Sequence, residues 1–282
     1  MIAGSKKRRF TLRSLRYLTL ILGAAIMIVP FLYLFATSFK PQLYLFEIPP
    51  QFIPKHPTLS NYQAAWTSNS FGHYFANSAF VSLVSTGLSV ILAAMMAYAF
   101  ARFKFHGQNI MFWMLLVGLM VPGMMLLIPQ YLLANELHLI DSLLGLIIFY
   151  VATNLAFNTF LLRGFFEEIP WELEEAMIMD GAGSFRRFFR LILPLSRPAL
   201  ATVSIFTFLA AWDEYVWALT IINDPSKRTL PIAISIFQGQ HLTNWGLVFA
   251  ASTITIIPVI VVFAIFQKQF VQIGRASCRE RV

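Results

Sequence analysis

Charge is scarce in this sequence: Asp, Glu, Lys and Arg make up 12% of its 282 residues, where soluble domains carry roughly 25%. A chain that is 58% hydrophobic lacks the polar side chains to coat a water-soluble core of this size, which excludes the soluble class. Cysteine is nearly absent. The lone Cys278 cannot close an internal disulfide or build a thiolate metal site. No Gly-x-x-x-x-Gly-Lys-Ser/Thr occurs, so the chain has no loop to cradle a nucleotide phosphate; no His-Glu-x-x-His occurs either, and the five His are scattered. Acidic residues are outnumbered by basic ones, and the net charge of +8 would suit a nucleic-acid binder. The Lys and Arg, however, stand in short groups between apolar runs, as in loops beside an anionic membrane leaflet, and no nucleic-acid partner is expected. Period-two alternation is missing too, which removes the β-barrel alternative, and there is no internal repeat.

What the chain does have is long apolar runs. About 20 apolar residues carry a helix across the bilayer core. Six runs qualify: 17–39, 75–101, 110–134, 142–162, 199–222 and 245–267. Each is expected to be a helix, because lipid cannot satisfy open backbone groups. Pro122, Gly123 and Pro129 should interrupt the third run, and Pro30 and Pro258 are candidate kinks in the first and sixth. With the N-terminus inside, 17 of the 21 Lys and Arg fall on the cytoplasmic side; such an excess sets orientation. The opening KKRRFTLRSLR and its apolar run also resemble a signal peptide with a small-x-small site at Ala36-Thr37-Ser38, but the run exceeds the 7–15 residues usual for one. An uncleaved first helix is the expectation.

The external stretch 40–74 is broken by Pro41, Pro49, Pro50, Pro54 and Pro57, after which Ser60 should cap a short interfacial helix over SNYQAAW. The tail IGRASCRERV, residues 273–282, differs from everything before it and reads as a cloning or read-through scar, outside the single domain of 1–272.

Between the fourth and fifth runs lies a segment too long for a mere connector, residues 163–197. A first helix over 170–181 is expected to open on Pro170, place Glu172, Glu174 and Glu175 near its positive end, and stop at Gly181. Leu173, Ala176, Met177 and Asp180 share one face at helical spacing. A second helix is expected to be capped by Ser184, to pack a stripe of Phe185, Phe188, Phe189 and Ile192 on the spans, and to end or kink at Pro194. A basic amphipathic helix would lie on lipid. The first helix is acidic, so a protein partner fits it better.

The run E175-A-M-I-M-D-G-A followed by F189-x-L-x-L-P resembles the EAA loop of permease subunits in bacterial ABC importers, with Met177 where a second Ala is usual and Leu191 for Ile. LLRGFFEEIPWELEEA, LPLSRPAL and AWDEYVWAL are similar to carbohydrate-uptake permeases of the maltose type, closest to the shorter six-span partner, and the likeness covers roughly residues 15–272. The resemblance implies an all-α integral-membrane protein of six transmembrane helices with a cytoplasmic coupling-helix loop, the type I permease fold. It implies a bacterial inner-membrane subunit, not itself an enzyme, that translocates a sugar or related polyol. The implied partners are a second permease subunit, two ATPase subunits that bind the ATP and Mg, and an extracytoplasmic solute-binding protein. Glu174, Glu175, Ala176, Met177, Asp180, Gly181, Ala182, Leu193 and Pro194 would then carry the ATPase coupling.

For a solute path the sequence offers Asp213 and Glu214, deep in the fifth run and beside Trp212, Tyr215 and Trp217. A carboxylate at mid-bilayer costs about 2.5–3.5 kcal/mol and so faces a cavity or a partner. Asn154 and Asn158 in the fourth run are further candidates, with interhelical hydrogen bonding as the competing reading. Two rivals stay open. A secondary carrier or channel predicts transport without ATP and charges deep in several spans, and a membrane scaffold predicts no solute-dependent ATPase stimulation.

Overall fold

The structure is a computed structural model that describes residues 3–42, 45, 52–238 and 243–279, with side chains described from residue 13 to 269 except at 69 and at the omitted positions. Thirteen α-helices make up most of the described chain. They are α1 (Ala3–Ser38), α2 (Ser60–Thr67), α3 (Phe71–Arg102), α4 (Gln108–Met120), α5 (Leu127–Glu136), α6 (Leu143–Glu167), α7 (Trp171–Met179), α8 (Ser184–Arg187), α9 (Leu193–Leu195), α10 (Arg197–Trp212), α11 (Val216–Ile221), α12 (Leu230–Ile236) and α13 (Trp245–Arg279). By length and composition four can cross a bilayer: α1 over Arg13–Ser38, α3, α6, and α13 over Trp245–Gln269. The number rises to six if two bent helix pairs each count as one span.

One of those pairs is the third run. It breaks between Met120 and Gly123 with a 95° bend, where the sequence placed Pro122 and Gly123. Pro129 sits inside the first turn of α5, where a missing N–H costs nothing. The fifth run departs from the expected unbroken helix over 199–222. α10 stops at Trp212 after 16 residues, and the chain restarts as α11 beyond Asp213, Glu214 and Tyr215. α1 and α13 run on through Pro30 and Pro258. The atypical tail begins within α13, and its residues 280–282 fall outside the described residues, as do Pro49 and Pro50.

The chain divides into two compact units: residues 1–69 with 234–255, and residues 70–233 with 256–282. In the first, the amide of Asn61 on α2 donates to the carbonyls of Ser38 and Lys40 (2.9 and 2.7 Å), and Tyr62 OH lies 2.6 Å from Ser38 Oγ. Ser60 is the first helical residue rather than the cap; Thr58 Oγ1 accepts its N–H instead.

The second unit is built on α3, α6 and α10. Ala93, Ala94 and Ala97 of α3 are buried against Leu162, Phe166, Ala199 and Val203. Small side chains let helix backbones approach, which replaces the hydrophobic drive that lipid cannot supply. Above the alanines, Asn158 of α6 is fully enclosed and donates to Ser89 Oγ of α3 (3.0 Å) and Thr207 Oγ1 of α10 (2.8 Å). At one end of this bundle, Asp141 accepts the backbone N–H groups of Asn223 and Asp224, and Lys227 Nζ donates to the Asp141 carbonyl. Asn77 of α3 donates to the carbonyls of Ser226 and Arg228, closing the same loop from its other side.

Candidate functional site

The loop from α6 to α10 starts with Pro170, which stands just ahead of α7 with extended ψ rather than inside it. Glu172 and Glu174 fall in the first turn, where carboxylates meet the positive end of the helix. The far end is a Schellman stop. Gly181 takes φ +75°, its N–H bonds the Ile178 carbonyl, and the Ala182 N–H reaches back to Met177 (2.9 Å each). Only glycine adopts that conformation without a Cβ penalty. The helix therefore spans 171–179, slightly inside the expected 170–181.

Adjacent acids on α7 have opposite fates. Glu175 is exposed and accepts the indole N–H of Trp171 (2.7 Å). Glu174, expected to belong to the outward docking face, is fully buried. Its Oε1 lies 2.6 Å from Nε of Arg102, the last residue of α3, and its Oε2 lies 3.5 Å from Nε of Arg187 on α8. Tyr98, one turn before Arg102, donates its hydroxyl to Oε2 at 3.2 Å. Arg102 also donates from Nη2 to the Ile169 carbonyl (2.6 Å), and its guanidinium lies over the Trp171 ring. The correction has a clear cause: a carboxylate enclosed by two guanidiniums can leave water, whereas an unpaired one cannot.

The outward face of α7 then comprises Leu173, Ala176, Ile178, Met179 and Asp180, with Met179 87% exposed; Met177 is half-buried and Ala182 buried. The phenylalanine stripe splits. Phe188 and Ile192 join the bundle core, while Phe185 (72% exposed) and Phe189 stay exposed. Gly183, not Ser184, occupies the cap position of α8, and Ser184 Oγ instead accepts from Arg187. The end or kink expected at Pro194 comes one residue later, where α9 stops at Leu195 and the chain bends by 79° into α10. A π-helical turn over Phe188–Ile192 precedes the proline, with the Leu193 N–H bonded to the Phe188 carbonyl, and the chain continues through Leu193 and Pro194 into α9. A proline ring crowds the carbonyl four residues back, here Arg190; the widened turn lies where that crowding falls.

The residues marked for a solute path scatter. Trp212 is buried, stacked on Phe208 and edge-on to Phe75, and the Asn158 amide donates to the interhelical bonds described above. Asn154 donates back to the Tyr150 carbonyl on its own helix. Asp213 is exposed at the break and Tyr215 is partly so. Glu214 accepts the N–H groups of Trp217 and Ala218 and the Tyr150 hydroxyl (2.7, 2.9 and 2.8 Å), and thereby caps α11. Glu214 and Trp217 also line a cleft of about 780 Å³ between the α4–α5 break, α6 and α11. Trp217 stacks on Phe149 at 4.3 Å. Its buried indole N–H, and the buried side-chain carbonyl of Gln130 in the same cleft, have no hydrogen-bond partner among the described residues. Sequence reasoning passed over Gln130, and equally Tyr98, Arg102 and Arg187. Arg102 carried a signal, since it ends the long apolar helix α3, which presents no other charge.

A family model described as "Binding-protein-dependent transport system inner membrane component" matches residues 89–272. The chain is 35% identical over 269 residues to the diacetylchitobiose uptake system permease protein NgcG of Streptomyces coelicolor, covering 95% of this chain and 88% of that one. It is 35% identical over 275 residues to the galactooligosaccharides transport system permease protein GanQ of Bacillus subtilis, covering 96% of each. A chain in the crystal structure of a bacterial ABC transporter involved in the import of the acidic polysaccharide alginate superposes with a TM-score of 0.79 at 25% identity, covering 93% of this chain and 97% of that one. The protein thus belongs to the family of binding-protein-dependent transport system inner membrane components, as a multi-pass permease subunit of an ABC importer and not an enzyme.

Proposed function

We propose that this permease imports a sugar or related polyol, and that α7 is the coupling helix that seats in a groove of a separate ATPase subunit. The solute class is supported by NgcG and GanQ, whose names give oligosaccharide cargoes. A second permease subunit, two ATPase subunits holding ATP and Mg, and an extracytoplasmic solute-binding protein complete the assembly. The N-terminus lies in the cytoplasm, in keeping with the Lys and Arg excess on that side.

The observation that carries the docking role is the two-sidedness of α7. Its inner face is bolted down through Glu174, and its outer face offers Leu173, Ala176, Met179 and Asp180 to a partner. Met and small apolar residues ringed by carboxylates suit a protein groove and repel an anionic leaflet. Glu175, Gly181 and the exposed Phe185 and Phe189 extend that surface, while Leu193 and Pro194 hold the base of the loop. For the solute, the path runs past the α10–α11 break, where Asp213 and Tyr215 face outward and Glu214 and Trp217 border the cleft.

Glu175→Lys places a cation on the docking face, and Gly181→Asp strains the Schellman stop at φ +75°. Both variants are expected to insert into the membrane at wild-type levels and to lose ATP-dependent uptake. Normal uptake by both would overturn the docking role. Uptake that persists without ATP would favour the secondary carrier.

A further inference from the structure

The docking face explains how a partner holds α7 but not how a push on α7 reaches the membrane. We propose that Glu174 is a positioning residue whose ion pairs with Arg102 and Arg187 lock α7 rigidly to α3, so that α7 and the α3–α6–α10 bundle are displaced as one body. The inference rests on the proposed docking of α7 on an ATPase subunit.

Apolar contact is non-directional and lets a short helix slide or roll on its support. Charge-assisted contacts fix geometry as well as energy, above all those of a planar guanidinium. α7 has only nine residues, and Glu174 is the one residue in it that is fully enclosed. The side chain that seats this helix is therefore a carboxylate, not a leucine or methionine. Arg102 Nε is ion-paired with the Glu174 carboxylate by proximity, without hydrogen-bond alignment. The directional contacts are Nη2 donating to the Ile169 carbonyl and Tyr98 donating to Glu174, so one rigid guanidinium meets both the helix and the chain that leads into it. Arg187 makes the second contact from α8, and Tyr98 makes a third from α3, one turn before Arg102.

The same groups connect to the bundle interior. The Tyr98 ring lies 5.2 Å from that of Phe188 in the π-helical turn, and both belong to the core with Ala97, Leu162 and Phe166. A buried ion pair is commonly replaceable by apolar residues of similar volume without loss of stability. The charges at this joint are therefore better accounted for by geometry than by fold stability, and that difference can be measured.

The test uses the purified complex in nanodiscs, on a Cys278→Ser background. Spin labels are placed at Met179 on α7 and Leu83 on α3, both exposed, and their separation is measured nucleotide-free and after trapping with ATP and vanadate. In the parent complex the separation should be the same in both states. In R102M/E174M/R187M, which removes every charge of the joint and leaves apolar volume, the ATPase subunits should still co-purify and trap nucleotide. The Met179–Leu83 distance should then shift or broaden on trapping by about 2 Å or more, the scale of helix shifts at switching interfaces. An unchanged distance in that variant, or a changed one in the parent, overturns the rigid joint. Should the triple variant fail to assemble, R102K decides. Its ammonium keeps the charge but not the fork that spans Glu174 and Ile169, so broadening supports the joint and invariance overturns it. Failure of the ATPase subunits to co-purify with the parent chain would instead defeat the docking reading.

Discussion

At Gly145 the structure leaves no room for a side chain. A Cβ there would fall against the Leu139 carbonyl and the Ile221 side chain, where the chain entering α6 passes beside α11. Gly145→Val should lower the stability of the detergent-solubilised protein by roughly 1–3 kcal/mol, the range for overpacking, read as a drop in Tm with the α6–α10 loop unaltered. Nothing in the sequence distinguished Gly145 from the other glycines of the apolar runs, because the close approach comes from the fold of the turn at Leu139 and from Ile221, far off in the chain. Glu174 and Glu175 teach the same lesson from the charged side. Helical spacing put Leu173, Ala176, Met177 and Asp180 on one face, and that face is largely exposed, with Met177 half-buried. It could not reveal that Glu174 turns inward, since a carboxylate is expected outside unless paired and its partner Arg102 lies on another helix. Asn158 went the other way: its competing reading, an interhelical hydrogen bond, is what the geometry displays.

Among the elements, the breaks are more informative than the helices. Proline and glycine announced the α4–α5 break, because their backbone chemistry is local. The α10–α11 break carried no such mark. It is stabilised by Glu214, which satisfies the free N–H groups at the start of α11 and takes the Tyr150 hydroxyl from α6, and so needs tertiary context. The end or kink expected at Pro194 falls one residue beyond it: the π-helical turn carries the helix past the proline to Leu195, and the chain then bends by 79° into α10. Between elements, the link from the start of α6 to the loop after α11 is pH-sensitive. Backbone N–H donation from Asp224, joined by Asn223 and by the nearby Lys227, holds the Asp141 carboxyl below its usual value. A depressed pKa stabilises the folded form above the unfolded value of about 3.9, and the contribution is lost as the pH falls through the folded value. Exchange protection of the Asn223 and Asp224 amides, corrected for intrinsic rates, should thus hold at pH 6 and fall progressively below about pH 4. Asp141→Asn should show reduced protection at pH 6 and little further pH dependence.

For the whole molecule, class and fold were legible because they rest on bulk properties: too little charge for a soluble chain, apolar runs of spanning length, and a loop whose residues resemble those of known permeases. The family match and the superposition on a solved importer chain agree with that reading. Which polar groups border the cleft was poorly legible, since Trp212 and Asn158 lie buried in the bundle while Gln130, a residue the sequence did not single out, lines the cleft. The central claim concerns neither solute nor span but the stiff acidic helix α7, presented on a buried ionic mount to a separate ATP-hydrolysing chain. Site-directed cross-linking tests it most directly, with a photoreactive group at Met179, the most exposed large apolar residue of α7, in native membrane vesicles. The account predicts a cross-linked product containing an ATPase subunit, lost in Glu175→Lys. Labelling of lipid alone, or a product unaffected by that substitution, would contradict it.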